Sequence, residues 1–123
     1  MRYHTPWNRL YRATVYSLKG LSSALRQEQA FEYEAVVFCV ICAVSLSVPV
    51  SPWERLALIG AWLVVMSLEL INSAVERAFD LIDTGFRPEI GVGKDMLSAS
   101  VFLMVSFNIL LWLAMILRHL GWL

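Results

Sequence analysis

The chain has 123 residues, 59% of them hydrophobic and 16% charged, and its ten basic and ten acidic side chains cancel. Mean hydropathy is +0.63. A soluble domain is nearer half apolar and a quarter charged. The values therefore exclude a disordered chain and a nucleic-acid-binding composition, argue against a water-soluble globule, and leave room for one domain.

The pattern from residue 5 to about 27 reads as an amphipathic helix lying on a membrane surface. Thr5-Pro6 supplies an N-cap followed by proline at the first helical position. Tyr11, Val15, Leu18 and Leu25 fall on one side, while Arg12, Lys19 and Arg26 repeat on another. Cations on that face suit anionic headgroups. Gly20 costs about 1 kcal/mol relative to Ala and is the expected place for a bend. No apolar signal-peptide core is expected among the first 30 residues, which hold Arg2, Arg9, Arg12, Lys19 and Arg26.

Three apolar stretches follow, each near the roughly 20 residues that a bilayer crossing needs. Ala35 to Trp53 and Met96 to Leu117 carry no charge before their ends, and Leu56 to Val75 carries only Glu69. The expected transmembrane helices cover residues 30–48, 52–83 and 92–120. Pro49 pushes Val48 out of helical geometry. Ser51-Pro52-Trp53-Glu54 is a capping box, with Ser51 as N-cap and Glu54 at the third helical position. A helix over 52–83 is about 48 Å long at ~1.5 Å per residue. It exceeds the ~30 Å hydrocarbon core, so its last turns should project. Gly85 and Pro88 are expected to stop it, with a loop from Thr84 to Gly93 before the last helix, which ends before Gly121. Trp53, Trp112 and Trp122 are candidate interfacial anchors.

Basic residues set orientation, because Lys and Arg stay on the cytoplasmic side. They number five before the first span, one between the first two (Arg55), three in the next connection (Arg77, Arg87, Lys94) and one at the end (Arg118). This alternation places the N-terminus in the cytoplasm and the C-terminus outside.

Glu69 is the first anomaly, since an ionisable group inside a span costs at least ~2.5 kcal/mol. Its two readings are a packing contact and a proton acceptor. Asn72 and Glu76 follow at i+3 and i+7, on the same helix face, with Asp80 a further turn on. Glu28, Glu32 and Glu34 lie where the surface helix meets the first span, and Lys94 and Asp95 open the last, with Ser98 one turn beyond Lys94. Carboxylates and a lysine from several segments thus converge at the cytoplasmic rim. They form either a solvated charged rim or the parts of a phosphoryl-transfer site: hard oxygens for Mg²⁺, a cation for phosphate and a base.

Three motifs are set aside. Gly91-Val92-Gly93-Lys94-Asp95 resembles the end of a P-loop, but the upstream glycine position holds Pro88 and the Ser/Thr position holds Asp95. Cys39 and Cys42 spell C-x-x-C in mid-span, where two small apolar side chains are the better reading. His4 and His119 lie at opposite ends of the chain and are expected to share no metal.

With these residues in place, the chain resembles the prokaryotic integral-membrane diacylglycerol kinases. Glu69-Leu70-Ile71-Asn72-Ser73-Ala74-Val75-Glu76 is similar to the family signature E-x-x-N-[ST]-A-[IV]-E. Lys94-Asp95-Met96 with Ser98-Ala99 resembles its second motif. Tyr16-Ser17, Lys19-Gly20-Leu21, Glu28, Ala30-Phe31 and Glu34 resemble its N-terminal pattern. The likeness runs from about Arg9 to the C-terminus. It implies an all-α membrane protein, a homotrimer of subunits that each have one surface helix and three transmembrane helices. It also implies transfer of the γ-phosphate of ATP, with Mg²⁺, to a lipid hydroxyl. By resemblance Glu69 is the general base, Glu28 and Glu76 hold Mg²⁺, and Lys94 binds the γ-phosphate. Asn72, Tyr16 and Asp95 line and orient the site, and Arg9 and Ser98 stand near the lipid and phosphate groups. Sites in this family form between subunits, covered by the surface helix.

Two departures stand out. Where relatives carry an acidic residue and a histidine before the lysine, this chain has Gly85-Phe86-Arg87-Pro88-Glu89. Where they read D-R-I, it has Asp80-Leu81-Ile82, and Arg77 is the nearby cation that can substitute. The expected activity is a diacylglycerol kinase of the bacterial inner membrane. The alternatives are an undecaprenol kinase of the same architecture and a noncatalytic helix bundle with a structural polar seam. The expected partners are a membrane lipid and two further copies of the chain, with no nucleic acid and no soluble protein.

Overall fold

The computed structural model describes residues 5–85 and 87–123. Arg2, His4 and Phe86 lie outside the described residues. Four helices follow one another: α1 (Pro6–Gln27), α2 (Gln29–Ser47), α3 (Pro52–Ile82) and α4 (Pro88–His119). Among the described residues there is no strand. The last three helices are long and apolar enough to cross a membrane, and the chain is an all-α membrane protein.

Local chemistry accounts for most helix ends. Thr5 Oγ1 accepts the Asn8 N–H at the start of α1, which Pro6 opens. At the start of α3 the capping box closes in both directions: Glu54 N–H donates to Ser51 Oγ at 3.2 Å, and Ser51 N–H donates to a Glu54 carboxylate oxygen at 2.7 Å. α4 ends in a Schellman turn. Gly121 takes φ +76°, and the Trp122 N–H reaches the Leu117 carbonyl at 3.0 Å. A glycine belongs there because positive φ crowds a Cβ.

Two details correct the sequence reading. α1 runs unbroken through Gly20, with no bend there, and the chain turns at Glu28, where the surface helix was expected to meet the first span. Glu28 is extended (φ −116°, ψ 103°), yet its N–H donates to the Ala24 carbonyl and its carbonyl accepts from Glu32 N–H. One residue therefore ends α1 and begins α2. The second correction concerns the loop expected from Thr84 to Gly93. Pro88 does not help to stop α3; it starts α4, where its missing N–H is no loss and its φ suits a first helical turn. The connection is only Asp83 to Arg87, tightened by the Gly85 N–H on Asp83 Oδ1 at 2.7 Å. Lys94 therefore stands in the second turn of a helix, which also disposes of the P-loop resemblance.

Each helix packs mainly on its neighbour in sequence. Phe31, Ile41, Leu58 and Val65 are buried where α2 meets α3, beside a buried Ser45. In lipid these contacts gain from close packing and interhelical hydrogen bonds rather than from leaving water. Trp62 Nε1 donates to the Glu34 carbonyl at 2.9 Å, and Asn108 Nδ2 donates to the Ala61 carbonyl at 3.2 Å. Gly93 lets α4 approach α3 closely, since a Cβ there would lie 2.9 Å from the Phe79 ring. Asn108 is the one buried residue of α4 among the described residues, so most of that helix faces outward.

Candidate active site

α3 carries the centre of the site. Glu69 lies in mid-helix, 8% exposed, and interacts with the side chain of Asn72 one turn on. Its charged neighbours are carboxylates. Glu34 of α2, Glu76 of α3 and Glu28 at the α1–α2 corner all stand within its electrostatic reach. Glu34 Oε2 and Asn72 Oδ1 are buried and accept no hydrogen bond from the described residues. Such atoms are costly to leave unpaired.

Cations frame this acidic group. Lys94 Nζ donates to Asp80 Oδ1 at 2.8 Å and stands within electrostatic reach of Glu76. Arg77 Nε and Nη2 both donate to Glu28 Oε1, at 3.0 and 2.5 Å, and Nη2 also reaches Gln27 Oε1 at 2.9 Å. Arg87 pairs with Asp83 on the α3–α4 turn. A cleft of about 500 Å³ opens between α1 and α3, lined by Ser17, Gly20, Ala24, Glu28, Ser73 and Arg77. A smaller hollow of about 130 Å³ lies at the α3–α4 turn and includes Asp80, Arg87 and Lys94.

The fold thus gathers Glu28, Glu69, Asn72, Glu76 and Lys94 from three segments. The side chains of Arg9, Tyr16, Asp95 and Ser98 are exposed and form no hydrogen bond or ion pair with this group among the described residues. A single chain does not assemble them with Glu69. Asp80 and Arg77 pair with Lys94 and Glu28 of this group, which the sequence reading did not foresee. The available signal for Arg77 was its place beside Glu76; its partner, 49 residues earlier, has no sequence signal.

The donor set fits one kind of metal. Among the described residues no three His, Cys, Asp or Glu side chains stand close enough to hold an ion unaided. Glu28 and Glu76 offer hard carboxylate oxygens, which suit a divalent cation that takes one or two protein ligands and completes its shell with substrate phosphate and water. Cys39 and Cys42 are free thiols on α2, and His119 lies 3.8 Å from Glu54, at the N-terminal end of α3.

A family model described as prokaryotic diacylglycerol kinase matches residues 15–116. The chain is 38% identical over 103 residues to the diacylglycerol kinase of Haemophilus influenzae, covering 84% of this chain and 87% of that one. It is 32% identical over 117 residues to the diacylglycerol kinase of Escherichia coli strain K12, covering 95% and 96%. It is 33% identical over 113 residues to the diacylglycerol kinase of Pseudomonas aeruginosa, covering 92% of each.

Proposed function

The chain belongs to the prokaryotic diacylglycerol kinase family, and from that premise we propose that it transfers the γ-phosphate of MgATP to the hydroxyl of diacylglycerol, giving phosphatidic acid. As a member it is a lipid kinase of bacterial membranes that uses ATP. The observation that carries the finer reading is the company of Glu69: a carboxylate buried in an apolar span, ringed by carboxylates, with a lysine one helix away.

Glu69 takes the hydroxyl proton as the lipid oxygen attacks the γ-phosphorus. The new O–P bond forms as the bond from phosphorus to the β–γ bridging oxygen breaks, and ADP leaves. Asn72 holds the Glu69 carboxylate in position. Lys94 exchanges Asp80 for the γ-phosphate oxygens, on which charge spreads in a loose transition state. Glu28 and Glu76 would hold Mg²⁺, which when bound would neutralise phosphate charge. Along the helix Glu69 lies ~10 Å beyond Glu76, so the lipid hydroxyl meets the base from the bilayer while the nucleotide stays at the rim.

Tyr16, Asp95, Arg9 and Ser98 complete a site between subunits of a homotrimer, covered by α1. Their exposure in one chain, and the outward face of α4, support this arrangement. The protein lies in the inner membrane with its N-terminus in the cytoplasm and its C-terminus outside; the alternation of basic residues supports that orientation.

The test is phosphate transfer from labelled ATP in mixed micelles with Mg²⁺, offering diacylglycerol and undecaprenol in parallel. Label on diacylglycerol, lost in Glu69→Gln while the fold survives, is the expected result. Label mainly on undecaprenol keeps the mechanism and changes the substrate. No label on either lipid from folded protein overturns the reading in favour of a structural polar seam.

A further inference from the structure

We infer that Arg77 is a positioning residue for the metal carboxylate Glu28: it binds one oxygen of that carboxylate, leaves the other toward the divalent cation, and fastens the α1–α2 corner to the helix turn that carries Glu76. The inference rests on the proposed kinase reading and adds a residue to it.

Four observations carry it. First, the arginine is one-sided. Nε and Nη2 both donate to Glu28 Oε1, at 3.0 and 2.5 Å, and Glu28 Oε2 accepts no hydrogen bond from the described residues. A fork-to-fork pair would occupy both oxygens; this one leaves a ligand atom. Second, Glu28 needs holding. It is the single extended residue between two helices, and although both ladders hold its backbone, its side chain makes no cap hydrogen bond to either. Nη2 of the same arginine also holds Gln27 Oε1 at 2.9 Å, so the grip covers both residues of the corner. Third, Arg77 follows Glu76 directly in α3. Consecutive helical residues point about 100° apart. One turn of α3 therefore presents its own carboxylate on one side and captures the second carboxylate on the other. Fourth, Arg77 and Glu28 both line the cleft between α1 and α3, so their pairing sets how far the surface helix stands from the span.

An opposing effect must be weighed. A guanidinium repels a nearby cation. Here it sits on the far oxygen with a side chain 55% exposed, where water and salt screen it. Hydrogen-bonded partners of metal ligands are worth about 10–100-fold in metal affinity. Orientation therefore outweighs repulsion, and the arginine strengthens the site it borders.

The experiment titrates Mn²⁺ with a nonhydrolysable ATP analogue into detergent-solubilised protein, reading free Mn²⁺ by electron paramagnetic resonance. Hydrogen exchange of the residue 24–32 amides is measured alongside. Arg77→Ala should weaken Mn²⁺ binding about 10–100-fold and speed exchange at the corner. Arg77→Lys, which can hold the carboxylate through one ammonium, should recover part of both. In transfer assays the apparent KM for Mg²⁺ should rise in Arg77→Ala while the KM for lipid holds. Unchanged or tighter Mn²⁺ binding in folded Arg77→Ala overturns the inference, since Arg77 would then be a competitor or a bystander. Faster exchange with unchanged Mn²⁺ affinity overturns it too, leaving only a structural clip. If Arg77→Ala fails to fold, Arg77→Gln and Arg77→Lys carry the same comparison. The two failures are separable. Wild-type protein that transfers label, with Arg77 variants indistinguishable from it, sinks only this inference. Wild-type protein that transfers no phosphate to any lipid sinks the kinase reading first.

Discussion

Glu54 and Glu69 stand on the same helix with the same exposure, 8% each, and differ in every neighbour. Glu54 occupies the first turn of α3, where the helix dipole favours an anion. It accepts the Ser51 N–H at 2.7 Å and meets Arg118 at 3.1 Å, with His119 at 3.8 Å. Glu69 sits in mid-helix with Asn72 beside it and Glu28, Glu34 and Glu76 around it. One carboxylate faces cations and closes the end of the bundle. The other is left unanswered by cations, which is costly within a membrane and is what a proton acceptor awaiting substrate requires. Burial alone does not separate them; the sign of the surrounding charge does.

The largest expected effect sharpens that contrast. Glu69→Gln should lower phosphate transfer by about 10²–10⁴-fold, the usual worth of a positioned base, with circular dichroism and thermal midpoint held. Glu54→Ala should do the reverse, lowering the midpoint while transfer per folded molecule holds. Equal losses of activity in both variants would erase the distinction between a structural and a chemical carboxylate.

Lys94→Gln comes next. It removes a charge-assisted contact to phosphate and should raise the KM for ATP about 10–100-fold, leaving the KM for lipid near wild type. A change confined to lipid KM would move Lys94 out of the nucleotide region. Gly93→Ala follows, because its methyl group would meet the Phe79 ring at 2.9 Å. Overpacking of this kind costs about 1–3 kcal/mol, and Phe79→Leu in the same chain should recover much of it. Gly91→Ala, with open space at its Cβ, should hold or raise the midpoint, by up to about 1 kcal/mol. Equal midpoints for the two alanine variants would remove Gly93 from the α3–α4 contact. The smallest effect is expected at Asn108, a polar residue buried in the last span. Asn108→Leu loses the Nδ2 bond to the Ala61 carbonyl, and interhelical bonds of that kind average about 0.6 kcal/mol. Thermal unfolding in one detergent ranks all three stability variants.

Much of this was legible in the residues. Thr5-Pro6, the Ser51–Glu54 box and Gly121 mark helix ends through contacts that span three to five residues, so sequence alone determines them. Three apolar runs determine the spans by length. The spacing Glu69, Asn72, Glu76 determines a shared polar face, because the helical period does. The misplaced boundary is equally instructive. Pro88 reads as a stop or as a start, and only the chain that follows decides. The corner at Glu28 was legible where the amphipathic pattern gives way to an apolar run, but its partner was not. Its turn is held by Arg77, 49 residues away. Lys94 likewise finds Asp80 14 residues earlier, across a contact that Gly93 and Phe79 make possible. Such pairs depend on how far one helix is rotated and how closely it approaches the next. That is decided by side chains packing across the interface, which no local spacing encodes. The sequence by itself determined four helices, the ends marked by Thr5, Ser51 and Gly121, and the polar face of one helix. The tertiary structure decided which charges meet, because opposite charges on separate helices become partners only after packing sets the distance between them.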